Sequence, residues 1–175
     1  MALLLFSTAV SGENIGSLFL GTSSVGGENE FRPRAYDVKP GISAGFLLPI
    51  RFPIISSHYK VRAAVHPALS NKDYDDDEYE YLSASNVLLV GKQIDLKSVS
   101  LLPQIGLGLL YELIHYEWER GYMYNLLFVD YSLKVNVPAL HENWGLLFNF
   151  EHGIDTSNPG YSPENRFHLS LVLTY

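Results

Sequence analysis

The chain has 175 residues, of which 47% are hydrophobic, 13% aromatic and only 18% charged, with a formal net charge of -7. An average soluble domain is about 25% charged, and the acidic balance without a Lys/Arg cluster argues against nucleic-acid binding. The absence of cysteine excludes disulfides, thiolate nucleophiles and thiolate metal sites.

The length favours a single domain over residues 1–175, because no linker is visible. No segment approaches the roughly 20 consecutive apolar residues of a transmembrane helix, so any membrane crossing would have to use strands. Within residues 2–25 there are two candidates for the first strand, residues 2–10 and residues 15–24. Residues 1–14 also have the character of a signal-sequence tail without its basic beginning.

From residue 41 onward, apolar and polar residues alternate in segments that predict seven further strands. These segments are residues 41–52, 57–69, 81–94, 99–116, 122–137, 144–151 and 165–175. Polar connections at residues 26–40, 71–80, 117–121 and 152–164 alternate with tight turns at residues 53–56, 95–98 and 138–142. This alternation is typical of an all-β fold, an eight-stranded antiparallel up-and-down transmembrane β-barrel.

The last segment carries an apolar row formed by Phe167, Leu169, Leu171, Leu173 and Tyr175. This ending resembles the terminal strand of bacterial outer-membrane β-barrels of the OmpA/OmpX type. The resemblance implies that the row faces lipid and forms the insertion signal, with Tyr175 as its aromatic end, that the barrel assembly machinery reads. It also implies a location in the bacterial outer membrane.

Charged residues collect on the opposite face of the predicted strands, together with glycines. An eight-stranded barrel is just wide enough inside to be filled by side chains, so we expect the following residues to neutralise one another as an interior polar network: Lys60, Arg62, Gln104, Glu112, Asp130, Lys134, Glu151 and Arg166. A narrow passive pore along these residues is an alternative. A soluble lipocalin-like binding barrel is another, but it would place the polar face outside.

Metal binding has little support in the sequence. The six histidines are scattered, and no spacing of the HExxH kind occurs. The acidic run at residues 71–80 lacks the glycine and terminal Glu of an EF-hand loop, so it reads as a solvated loop tip. We therefore expect no metal and no cofactor.

Residues 151–165 carry His152, an Asn158-Pro159-Gly160 turn and Glu164. The segment faintly resembles the end of PagL-type lipid A deacylases, whose catalytic His and Ser form an H-x-S-N pattern. The resemblance implies an acyl hydrolase that uses His152, Ser157 and Glu164. However, Ile154 stands where the pattern has its nucleophile, and Ser157 would have to act from a different spacing.

We therefore expect an outer-membrane barrel with a structural or interaction role rather than an enzyme. Its partners would be outer-membrane lipid and lipopolysaccharide, with a possible protein partner or host surface at the predicted loops.

Overall fold

The computed structural model describes residues 16–26, 36–38, 40–51, 56–71, 78–115, 122–137, 143–154 and 165–175. These residues form ten strands: β1 Ser17–Gly26, β2 Tyr36–Val38, β3 Gly41–Arg51, β4 Ser56–Asn71, β5 Glu78–Gly91, β6 Ile94–Leu96, β7 Val99–His115, β8 Tyr122–Asn136, β9 Trp144–Ile154 and β10 Asn165–Thr174. All belong to one antiparallel sheet. The described residues include no helix long and apolar enough to cross a bilayer.

The sheet closes on itself through its first and last strands. β1 pairs with β3 on one side and with β10 on the other, in a register that runs from Ser17 opposite Thr174 to Gly26 opposite Asn165. Beyond this ladder, Gly16 and Tyr175 exchange two backbone hydrogen bonds of 3.3 and 3.1 Å. Closure leaves the barrel wall without an open edge, and the predicted eight-stranded antiparallel barrel is confirmed.

Each of the two short strands continues a longer one: β2 continues β3, and β6 continues β5. The barrel therefore has eight strand positions rather than ten, and we call each position, interrupted or not, a stave. β2 pairs with β4 in the same register as β3 does. Pro40 lies between β2 and β3 in the chain, at the position opposite Pro67 of β4. β6 likewise continues the register of β5 along β7, and the interruption lies opposite Pro103. Proline has no N–H to donate to a ladder, which explains why each stave is interrupted there.

Several predicted boundaries shift. Residues 15–24 correspond to β1, whereas residues 2–10, the other candidate, lie outside the described residues. The predicted turn at residues 95–98 is wrong in its first half, because β6 includes Asp95 and Leu96 and only Lys97 and Ser98 form the turn. The loop predicted at residues 26–40 contains a strand, because β2 lies within it. The loop predicted at residues 152–164 starts too early, because β9 continues to Ile154.

The barrel has two unlike ends. The turn end is where β3 and β8 end and β4 and β9 begin, and it includes the Lys97–Ser98 turn, the beginning of β1 and the end of β10. The loop end is where β1, β4, β7 and β9 end and β2, β5, β8 and β10 begin. β4, β5, β7 and β8 are the longest strands, with 16, 14, 17 and 15 residues, so two hairpins extend the wall at the loop end.

Side chains alternate between a large apolar outer face and a mixed inner face. The inner face is less uniformly polar than the sequence indicates, because eight apolar side chains form a buried interior cluster: Phe19, Leu47, Val87, Leu89, Leu110, Phe128, Leu147 and Val172. Glycines make room for some of them. A Cβ at Gly108 would lie 2.7 Å from Phe128 Cζ, so that ring requires a glycine opposite it.

Candidate functional site in the barrel interior

The middle of the barrel interior contains four charged side chains in direct contact, together with one amide and one hydroxyl side chain that bond to them. We call these six residues the central cluster: Lys60, Arg62, Asp130, Ser132, Asn149 and Glu151. Lys60 on β4 donates to Asp130 on β8 and, at 3.4 Å, to Glu151 on β9. Arg62 donates through Nη1 to Glu151 at 2.7 Å. The side chains of Lys60 and Asp130 are 0% exposed.

Neutral side chains complete the central cluster. Asn149 accepts from Arg62 through Oδ1 and donates through Nδ2 to Ser132 and, at 3.1 Å, to Asp130. Ser132 in turn donates to Asp130. Two cations therefore meet two carboxylates, and each carboxylate has at least two hydrogen-bond donors, which is the condition for tolerating buried charge.

A second group, the loop-end cluster, consists of Tyr81, Glu112 and Arg166. Tyr81 and Arg166 both donate to Glu112 Oε1, and Arg166 Nε lies 3.4 Å from the Tyr81 hydroxyl. The His66 ring meets the Tyr81 ring edge-on at 5.3 Å between centroids, and His66 Nε2 lies 3.1 Å from Ser23 Oγ. The three residues of this cluster join β5, β7 and β10 at the loop end of the barrel.

A third group, the turn-end cluster, lies at the other rim. Lys134 donates to Ser17 Oγ at 3.1 Å and to Thr174 Oγ1 at 2.9 Å, and the two hydroxyls are 3.0 Å apart. Gln104 lies 2.9 Å from His58 Nδ1 on the same side of the barrel. Among the contacts described for Lys134, none is with a carboxylate, so its charge is shared with hydroxyls.

All eight residues of the predicted interior network are buried, and the contacts described for them divide them into groups. Lys60, Arg62, Asp130 and Glu151 meet in the central cluster, Glu112 and Arg166 in the loop-end cluster, and Lys134 and Gln104 stand apart. Sequence reasoning did not select Tyr81, Ser132 or Asn149 as members. Each lies an even number of positions from another inward-facing residue on the same strand, as Tyr81 does from Ser85. This alternation could have assigned them to the interior.

In the central and loop-end clusters, each charged side chain contacts at least one side chain of opposite charge. Among the described residues, no group of three His, Asp or Glu side chains could hold a metal ion. The central and loop-end clusters instead cross-link strands from opposite sides of the barrel, since Arg62 on β4 reaches β9 and Arg166 on β10 reaches β7.

His152 lies on the outer wall rather than in the interior. Its Nδ1 lies 2.9 Å from Asn165 Oδ1, and the next outward side chain on β9 is Ile154. Ser157 and Glu164, the other residues of the hydrolase alternative, lie outside the described residues. His168 and Ser170, which have the His-x-Ser spacing, are both buried inside the barrel.

The row predicted as the insertion signal faces outward on β10 and just beyond it. Phe167, Leu169, Leu171 and Tyr175 are exposed, and Leu173 is half-buried. Around the barrel they are joined by exposed apolar side chains on the other staves, among them Leu20, Ile42, Val65, Leu88, Leu107, Tyr131 and Phe148. The face polarity is thus the reverse of that of a lipocalin.

Comparison with solved structures places the fold among small β-barrels. The crystal structure of Neisserial surface protein A matches with a TM-score of 0.55 and 11% identity, covering 92% of this chain and 94% of that one. The Yersinia pestis outer membrane protein Ail, in a phospholipid bilayer nanodisc, matches with a TM-score of 0.48 and 11% identity over 93% of this chain and 100% of that one. The second likeness is too weak to carry an inference.

No family model and no curated protein matches the sequence. The likeness to Neisserial surface protein A therefore concerns the fold alone.

Proposed function

We propose that this protein is a transmembrane β-barrel of a bacterial outer membrane, with a structural or interaction role exerted through its loop end. The observation that carries the proposal is the outer wall of large apolar side chains. Leu107, at the midpoint of β7, is 59% exposed, and Leu20 and Ile42 on other staves reach 61% and 66%.

A continuous apolar surface of this kind would cause a protein to aggregate in water. Soluble monomers seldom expose contiguous apolar patches beyond a few hundred Å², and the described residues supply no second layer that covers the staves. A closed barrel is also one of two architectures that satisfy every backbone group in hydrocarbon. Staves of ten residues or more suffice for a tilted strand to cross the bilayer, which requires about 9–11 residues.

The interior functions as a plug. The central and loop-end clusters pair charges across the lumen, and the interior apolar cluster fills further space within it. An eight-stranded barrel leaves little room once its side chains are in place. The same cross-links hold the staves in register beneath the loops, which gives the loop end a rigid support.

The loop end is the interaction surface of this proposal. The connections there contact lipopolysaccharide or a partner, and the structurally similar Neisserial surface protein A is, by its name, a surface protein. In this scheme the barrel assembly machinery inserts the chain, and outer-membrane lipid surrounds it.

The proposal is tested by refolding the full chain from denaturant with and without phospholipid vesicles. We expect a folded form whose gel migration changes on heating to appear only with lipid or detergent, and to float with the vesicles. A monomeric, folded protein in plain buffer would overturn the membrane assignment.

The plug is tested separately by ion flux through vesicles that contain the refolded barrel. We expect flux no greater than that of vesicles carrying the same protein after heat denaturation. A steady conductance that Glu151→Gln alters would instead favour a narrow pore.

A further inference from the structure

The outer wall carries a carboxamide side chain at about half its height. Asn86 on β5 lies between the inward-facing Ser85 and Val87, so its side chain points outward, on the same face as Leu88. The residue is half-buried. Within the part of the chain that the structure describes, its amide has no hydrogen-bond partner.

The strand register fixes the height of Asn86 in the wall. Because the strands of a barrel tilt, a rung of paired outward residues climbs from one rim to the other. The rung of Asn86 starts near the turn end at Leu18, the second residue of β1, and ends at the loop end with Ile154, the last residue of β9. Three apolar residues precede Asn86 on this rung and three follow it, in the order Leu18, Phe46, Val61, Asn86, Leu109, Leu127 and Ile154.

The inference rests on the proposed function, in which this wall faces hydrocarbon. Hydrocarbon offers no water to an amide, and the backbone groups of β4, β5 and β7 around Asn86 pair with one another. An Asn side chain is too short to extend from mid-height to the membrane surface, as the long stems of Lys and Arg do near a rim. A barrel surrounded by acyl chains alone would therefore leave this amide without a hydrogen bond.

The surface beside Asn86 allows another protein wall to approach closely. Ala84 lies two positions before Asn86 on β5 and pairs with Ala63 on β4, which in turn pairs with Ala44 on β3. All three alanines point outward and are exposed. Small side chains at membrane interfaces permit close approach of backbones, and polar side chains there bond to the neighbouring protein segment. A short amide needs such an approach to reach its partner.

We propose that Asn86 marks a contact face through which two copies of this chain associate side by side in the membrane. A carboxamide both donates and accepts hydrogen bonds, so two Asn86 side chains can satisfy each other. Two copies inserted in the same orientation carry this amide at the same depth. A twofold axis along the membrane normal then brings the same face of each copy together, as in other isologous dimers.

The position of the contact face is tested by crosslinking in phospholipid vesicles. Because the chain contains no cysteine, Ala84→Cys introduces a single thiol beside Asn86, and Leu146→Cys introduces one on β9, at the far side of the barrel. We expect a short bismaleimide crosslinker to join Ala84→Cys into dimers and to leave Leu146→Cys monomeric. Equal crosslinking of the two variants, or monomers in both cases, would overturn the proposal.

The role of the amide is tested by Asn86→Leu in the Ala84→Cys chain. We expect the dissociation constant of the dimer, measured as the crosslinked fraction at increasing lipid dilution, to rise about 3- to 30-fold. The matched control is Thr22→Val, which removes an outward hydroxyl from β1 and should leave the dissociation constant unchanged. An unchanged constant for Asn86→Leu would show that the amides do not meet.

Membrane insertion is measured on the same samples by heat-modifiable gel migration and by flotation with the vesicles. A chain that is inserted and monomeric overturns the dimer and leaves the membrane assignment intact. A chain that folds without lipid or detergent overturns the membrane assignment itself.

Discussion

Glu151 joins two cations that come from the far side of the barrel. It accepts from Arg62 at 2.7 Å and from Lys60 at 3.4 Å, and it is 1% exposed. Removing one partner of a buried ion pair costs far more than the pair contributes, because the remaining charge stays in the interior uncompensated. At the scale of single residues, this carboxylate therefore governs the central cluster.

Glu151→Gln keeps the shape of the side chain and removes its charge, which leaves Lys60 and Arg62 with Asp130 alone. We expect a loss of about 3–5 kcal/mol in the free energy of unfolding, measured by denaturant titration of the refolded protein in detergent. The matched control is Asp95→Asn on the exposed hairpin, which should change stability by less than about 0.5 kcal/mol. Equal effects of the two substitutions would show that solvent screens the ion pairs of the central cluster, so that they contribute little to stability.

His152 allows a test of the hydrolase alternative. It pairs with Asn165 on the outer wall, and Ile154 rather than a hydroxyl residue is its outward neighbour on β9. Acyl transfer requires a nucleophile within reach of the general base, and the neighbouring outward position on β9 offers none. Incubation with lipid A should release no fatty acid, and release that His152→Ala abolishes would contradict this expectation.

At the scale of strands, close approach between neighbouring staves depends on particular glycines. A Cβ at Gly45 would overlap the carbonyl oxygen of Val61 and the Phe19 ring, on the strands that flank it. Ala44, the preceding residue, points outward and is exposed. The two adjacent positions therefore differ in tolerance although both carry small residues.

We expect Gly45→Val to destabilise the barrel by about 1–3 kcal/mol or to prevent folding, because an added side chain must displace backbone. Ala44→Val should change stability by less than about 0.5 kcal/mol. Both are measured as the fraction of protein that shows heat-modifiable gel migration after refolding in detergent. Efficient folding of the Gly45 variant would mean that the staves can separate at low cost.

Much of this level is predictable from the sequence, and the exceptions have identifiable causes. Period-2 alternation assigned the staves and both faces, since a strand residue can point only two ways. It placed Lys60 and Asp130 inside but could not pair them, because their contact depends on how the staves close. It also missed β6, where Pro103 on the facing strand interrupts the ladder.

The interior apolar cluster was harder to predict than the charges. Leu47 and Leu89 stand among apolar neighbours on both sides in sequence, so alternation does not mark them as inward. Tyr81 lies in a predicted strand whose alternation is weak. Its hydrogen bond to Glu112 joins neighbouring strands, although the two residues are 31 positions apart in the sequence. Such partners follow from the geometry of closure rather than from local sequence.

At the scale of the whole molecule, the apolar outer wall ends where the sheet leaves the barrel. Beyond the last rung that β5 shares with β4, at Gly91, the hairpin of residues 92–98 is exposed on both faces. Gln93 donates to Asp95 at 2.8 Å, and hydrogen bonds from Gln93 and Ser100 hold the pKa of that carboxyl below its usual range. Charged and solvated, this hairpin belongs outside the hydrocarbon region.

The wall and the hairpin offer two leucines that differ in surroundings and little else. Leu107 lies at the midpoint of β7 and is 59% exposed, while Leu96 lies on the hairpin and is 56% exposed. If the wall faces hydrocarbon, arginine at Leu107 must bring a charge into it, whereas arginine at Leu96 remains in water.

The most direct measurement is therefore the free energy of unfolding of Leu107→Arg and Leu96→Arg in phospholipid vesicles. We expect Leu107→Arg to cost about 2–4 kcal/mol, as at the midplane of a membrane barrel, and Leu96→Arg less than about 0.5 kcal/mol. Two equally harmless substitutions, in a protein that also folds in plain buffer, would contradict the account.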